Sequence, residues 1–128
     1  MTSEFDGVLT AWDDLALEKI TALISRKAVV GEGQALAQVY LKRGALVPLH
    51  AHDGEELIYV LDGMLRLRLA GDDVVVREGE VVRVPGRAPH QIEALADTFA
   101  LAARGTAPRG TEQGGGRRPG ADAAKCGE

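Results

Sequence analysis

Residues 44–63 read Gly44-Ala45-Leu46-Val47-Pro48-Leu49-His50-Ala51-His52-Asp53-Gly54-Glu55-Glu56-Leu57-Ile58-Tyr59-Val60-Leu61-Asp62-Gly63. They hold two of the chain's three histidines, a carboxylate at the head of an apolar run, and an Asp-Gly pair that closes it. Leu57 to Leu61 has the length and composition of a buried strand, and Asp62-Gly63 is a hairpin turn signal. Residues two apart on an extended chain point the same way, so His50 and His52 share a face. Glu56 stands four residues beyond His52, past an Asp53-Gly54 turn that can swing it back. A carboxylate entering such an apolar strand is costly to bury unless it is paired or bound to a metal. Two imidazoles and a carboxylate on one short segment therefore make a plausible metal face. Such a nitrogen and oxygen donor set suits Fe(II), Mn(II), Ni(II), Cu(II) or Zn(II), with no thiolate to favour softer ions.

On both sides of this stretch the pattern is β. From Gln34 on, Ala35, Ala37, Val39 and Leu41 alternate with Leu36, Gln38, Tyr40 and Lys42. Past Gly63, Leu65, Leu67 and Leu69 share one face, and Arg66 and Arg68 the other. Turns follow at Ala70 to Asp73 and at Glu78-Gly79, Val81 to Val84 runs back, and Pro85 to Pro89 is a loop. The third histidine, His90, begins another strand, and Thr98 to Ala103 closes the domain. Many short strands at this spacing mean a sandwich or barrel rather than a βαβ fold. Upstream, Asp13, Leu15, Leu17 and Ile20 fit a short helix capped by Asp13 or Asp14. Leu23 to Val30 reads as a strand ending at a Gly31 to Gly33 turn.

Here the chain resembles the cupin superfamily, in its small single-domain microbial form. Gly44, five residues, His50-Ala51-His52, three residues, Glu56, six residues and Gly63 match the first cupin motif. Gly79, Pro85 and His90 fall at their positions in the second motif. Two positions depart from it: Arg87 stands where the motif has Gly, with Gly86 one place earlier, and Ala94 replaces Asn. The first departure bears on the shape of the loop and the second on a structural hydrogen bond. The resemblance covers roughly Val29 to Ala103. It implies an all-β fold, a double-stranded β-helix (jelly-roll or cupin barrel), whose His50, His52, Glu56 and His90 gather around one divalent metal, Fe, Mn, Ni, Zn or Cu. Glu55 is a decoy beside Glu56, turned to solvent by alternation.

At 128 residues the chain fits one domain with a real core. Residues 1–28 read as an N-terminal arm, 29–104 as the barrel and 105–128 as a disordered Gly-rich tail. That tail holds seven of the sixteen glycines and no Val, Leu, Ile or aromatic residue, so nothing in it offsets the entropy of ordering. Its Arg117-Arg118 pair reads as solubilising and Cys126 as an exposed thiol. A net charge of −4 gives no reason to expect nucleic-acid or anionic-membrane binding. No run of about eighteen apolar residues is present, so neither a membrane span nor a secretory signal is expected. Cys126 is the only cysteine, which precludes an internal disulfide and fits a cytoplasmic setting.

The function implied by the resemblance is a metal-dependent enzyme such as a dioxygenase acting on a small organic substrate, with Glu56 also able to act as a base. The alternatives are an oxygen-independent lyase, isomerase or cyclase, and a non-catalytic small-molecule-binding or sensor domain. A homodimer is implied by the same resemblance. Tyr40, Tyr59, Gln38 and Arg66 are weaker candidates to reach a pocket, each more simply read as packing or surface. Trp12 reads as core packing, with a cover at one barrel end or a dimer contact as the other readings. Gly44, Gly63 and Gly79 read as turn positions where a Cβ would clash.

Overall fold

The computed structural model describes residues 7–106. Ten strands form two antiparallel sheets. The larger has the order β1-β2-β3-β10-β5-β8, from β1 (Glu18–Thr21), β2 (Ile24–Val30), β3 (Gln34–Leu41), β5 (Glu56–Asp62), β8 (Val81–Val84) and β10 (Thr98–Gly105). The smaller has the order β4-β9-β6-β7, from β4 (Leu46–His50), β6 (Met64–Leu69), β7 (Asp72–Arg77) and β9 (His90–Ala94). The chain passes back and forth between the sheets, as in a jelly roll. Among the described residues no helix is long and apolar enough to cross a membrane.

The alternation read from the sequence decides which face is inside. Leu65 and Leu67 of β6 are buried, as are Ile58 and Val60 of β5 and Leu41 of β3. They meet across the sheets in one apolar cluster with Ile24, Val84 and Ile92. Each such side chain contributes about 1.5–3 kcal/mol by leaving water, and together they fix the separation of the two sheets.

The helix expected across Asp13 to Ile20 does not form. Trp12–Asp14 makes a single 3₁₀ turn with no side-chain cap, and none of its residues is buried. Glu18–Thr21 instead pairs with β2, Glu18 opposite Arg26. A one-sided helix needs an apolar surface to lie on. Leu17 remains exposed, whereas the edge of β2 offers backbone hydrogen bonds at once. The segment read as an arm thus supplies β1 and the first part of β2 to the larger sheet. Trp12 is half-buried outside the core, and its carbonyl accepts a hydrogen bond from Lys27 Nζ at 3.0 Å.

The turns fall where the sequence places them. At Gly63, φ is +104° and a Cβ would overlap the Asp97 carbonyl and Thr98. Gly44 and Gly79 also have positive φ, but open space surrounds them; there the backbone angle, not a clash, excludes a side chain. At the other end, β10 continues through Gly105, and the Thr106 N–H donates to Gly33 at 3.0 Å. These last backbone groups find partners on the β2–β3 turn and at Glu55. Arg117, Arg118, Cys126 and the rest of the segment read as a tail lie outside the described residues.

Candidate metal centre

His50 ends β4 and His90 begins β9, and the two are ladder partners. Their alignment depends on an irregularity. Val47 pairs with Ile92, yet His50, three residues on, pairs with His90, two residues back. One extra residue is accommodated at Pro48-Leu49, where proline has no N–H to give to a ladder. The bulge resets the alternation and turns His50 inward beside His90. His52 follows in the loop, and Glu56 opens β5.

The three rings come together. Centroids are 4.3 Å apart for His50 and His90, 5.0 Å for His52 and His90, and 5.4 Å for His50 and His52. Each offers a nitrogen within 4.8 Å of the others. Glu56 stands outside this compact group of three but against two of its members. Its Oε1 is 3.3 Å from His52 Nε2 and 3.8 Å from His90 Nε2. Glu55 points away and pairs with Arg83.

Backbone carbonyls set the tautomer of every ring. Nδ1 of His50 lies 2.8 Å from the Pro48 oxygen, that of His52 3.0 Å from Gly54, and that of His90 2.8 Å from Ala88. A carbonyl can only accept, so each Nδ1 carries the hydrogen and, in the neutral ring, each Nε2 keeps its lone pair; once protonated, His52 Nε2 donates to Glu56. This outer-shell arrangement also orients metal-binding histidines. His90 is fully buried, and its Nε2 has no hydrogen-bond partner. An orphaned buried acceptor costs about 1–3 kcal/mol. A divalent cation shared with the other two rings would remove that cost, so the residues present fit a metal.

The proton affinities of the rings diverge. Glu56, by its hydrogen bond, raises His52 above the ordinary 6.5, against the opposing effects of burial and the Arg104 charge. Burial lowers His90. A buried neutral imidazole with a free Nε2 is the form a metal takes up.

The two departures from the family pattern are both accommodated. Arg87 adopts φ +66°, the left-handed conformation that glycine takes at little cost. Its N–H donates to the His52 carbonyl at 2.7 Å, and its Nε lies 3.7 Å from Asp53. Gly86 supplies the close approach, since a Cβ there would overlap the Asp53 carbonyl. The loop before His90 is thus tied to the loop holding His52. Ala94 is buried, and its backbone exchanges hydrogen bonds with Gly44 and Ala45 at 2.9 Å each. Main-chain groups hold the position where the family uses an asparagine side chain.

Beside the imidazoles lies a cavity of about 540 Å³, lined mainly by apolar side chains and reaching His50, His52 and Glu56. Tyr40, Tyr59, Gln38 and Arg66 do not line it. Tyr40 and Tyr59 are exposed, Tyr40 stacking on Phe99, and Arg66 pairs with Asp73 and Glu93 on the other sheet. Two charged lining residues escape the sequence reading, Arg26 and Arg104. Arg104 has a signal that could have found it, because it is in phase with Ala100 and Ala102 on β10 and so faces inward.

Comparison with known proteins agrees with this fold. Residues 37–102 match the family model of the cupin domain, and the chain belongs to the cupin family. The rat 3-hydroxyanthranilate 3,4-dioxygenase is 39% identical over 56 residues, which cover 41% of this chain and 20% of that enzyme. The chain thus spans about a fifth of the length of the dioxygenases it matches. An oxalate-binding protein of Thermotoga maritima is 32% identical over 77 residues, 59% of this chain and 64% of that protein. An RmlC-like cupin from Shewanella frigidimarina superposes with a TM-score of 0.73 at 16% identity, covering 84% of this chain and 96% of that one; it shows the fold.

Proposed function

We propose that this cupin is a metal-dependent enzyme acting on a small organic substrate, a dioxygenase in the first instance. In this reading Nε2 of His50, His52 and His90 and the Glu56 carboxylate hold one divalent ion, Fe, Mn, Ni, Zn or Cu. The observation that carries it is the orphaned Nε2 of fully buried His90 in a group of three rings whose tautomers all free Nε2. When bound, such a metal activates dioxygen or polarises a substrate oxygen.

The chain's own residues define the rest. The apolar cavity wall gives an organic body a surface to lie on beside the imidazoles. Glu56, only 16% exposed, stands 3.3 Å from His52 Nε2 and accepts a hydrogen bond from it when that ring is protonated, and its carboxylate can take a proton from substrate. The partial likeness to 3-hydroxyanthranilate 3,4-dioxygenases supports the oxygen-dependent reaction. The likeness to a protein named for binding oxalate favours a second reading, oxygen-independent chemistry or binding without turnover. Oxygen uptake by the iron-loaded protein with candidate phenolic acids, diketones, thiols and flavonols separates these readings. Consumption supports the dioxygenase, and none across the panel contradicts it. A reducing, cytoplasmic setting fits a chain whose one cysteine has no internal partner.

We also infer a homodimer. The outer face of the larger sheet exposes Leu36, Leu57, Tyr59 and Val81, and a second copy would cover them. A mass of two chains by light scattering at micromolar concentration supports this; a single-chain mass refutes it.

A further inference from the structure

Side-chain size varies systematically over the inner face of the larger sheet. Ala28, Ala37 and Ala102 are ladder partners in one row across β2, β3 and β10, and Ile58 of β5 continues it. All four line the cavity. Alanine leaves the volume that Val39 or Leu41 fills farther along β3, so this row is an apolar slot beside the core in which those two side chains pack.

The adjoining row is Val30, Ala35, Arg104 and Glu56. Arg104 is half-buried and lines the cavity, near enough to His52 for its charge to oppose the imidazolium. Among the described residues no carboxylate is ion-paired with it. Arg26, the other cavity arginine, is engaged by Glu18 at 3.3 Å. A guanidinium turned into an apolar cavity without a counter-ion is an unfavourable arrangement that a bound anion relieves.

We propose that Arg104 is the anion anchor of this cavity, pairing with the carboxylate of a small organic acid whose apolar body lies along Ala28, Ala37 and Ala102. This rests on reading the same cavity as the substrate site, and it names the substrate class. The planar guanidinium matches a carboxylate in two parallel hydrogen bonds. A monoanion balances the single unpaired charge, whereas a phosphate dianion would bring excess negative charge beside Glu56, the ladder neighbour of Arg104.

The test is calorimetric binding of benzoate, 2-hydroxybenzoate and hexanoate, each against its primary amide, to the full-length protein in metal-stripped and zinc-loaded forms. At least one acid is expected to bind about tenfold or more tightly than its amide. Arg104→Gln should weaken that acid by about 10- to 100-fold and leave the amide nearly unchanged. Arg104→Lys, which keeps the charge but not the paired hydrogen bonds, should retain part of the preference. Ala37→Val, which narrows the slot and leaves the charge, should weaken acid and amide alike. No acid preferred over its amide, or a preference undiminished in both Arg104 variants, overturns the proposal. Metal content measured on the same samples keeps the two readings apart. An Arg104-dependent preference in protein that takes up no metal leaves the anchor standing and removes the metal enzyme. One metal per chain with no acid preference does the converse.

Discussion

His50 and His90 face each other across the β4–β9 ladder, their ring centroids 4.3 Å apart, because a bulge absorbs the one extra residue that β4 carries between Val47 and His50. Side-chain direction along a strand has a period of two, so a one-residue change of register turns a side chain to the opposite face.

Deleting Leu49 removes that extra residue. The expected product pairs Val47 with Ile92 and His50 with His90 in unbroken alternation, keeps the β-rich circular dichroism of the parent, and retains metal affinity within about tenfold. Equilibrium dialysis measures it, and a loss of about 100-fold or more would show that the bulge itself is needed to aim His50.

Replacing His90 by alanine removes the buried donor. Thermal unfolding should then respond differently to metal: zinc raises the midpoint of the parent protein through ligation to the folded state, while the variant shows little or no rise. Equal zinc-induced shifts in both would place the metal elsewhere.

Much of this was legible in the sequence, for definite reasons. Alternation at Leu65 and Leu67 and at Ala35 to Leu41 survives folding because one face is buried. The histidines and Glu56 are readable because the family spacing fixes which turns precede them. The misread parts depend on neighbours distant in sequence. Glu18–Thr21 became a strand because β2 lay beside it, which no local pattern at Leu15 or Leu17 records. The inward bulge at Pro48 and the inward phase of Arg104 become informative only once β4 is set against β9 and β10 against β3 and β5.

Arg87 holds a left-handed backbone angle at a cost of about 1–2 kcal/mol for a residue with a side chain. Glycine pays more entropy on folding, and the Asp53 contact is 3.7 Å long at the surface. Arg87→Gly is therefore expected to stabilise the protein by about 0.5–1 kcal/mol in urea unfolding and to leave metal affinity unchanged. Destabilisation by a similar amount would mean that the side chain holds the loop.

Metal binding should weaken as pH falls, because imidazoles bind metal only when neutral. Glu56 raises the proton affinity of His52 above 6.5, so competition from protons begins on the alkaline side of that value. In the metal-stripped protein, Glu56→Gln should move the His52 titration downward, since its largest upward cause is removed. Proton NMR of the ring resonances reads this directly, and an unmoved titration would show that Glu56 does not govern His52.

The central claim is that Nε2 atoms of His50, His52 and His90 converge on one metal. X-ray absorption spectroscopy with elemental analysis, on protein purified without chelator or added metal, addresses it most directly. One transition metal per chain, with three imidazole nitrogens at about 2.0–2.2 Å, is the expected result. A sample free of metal that also refuses Zn(II), Mn(II) and Fe(II), or a bound ion without three imidazoles around it, would contradict the account.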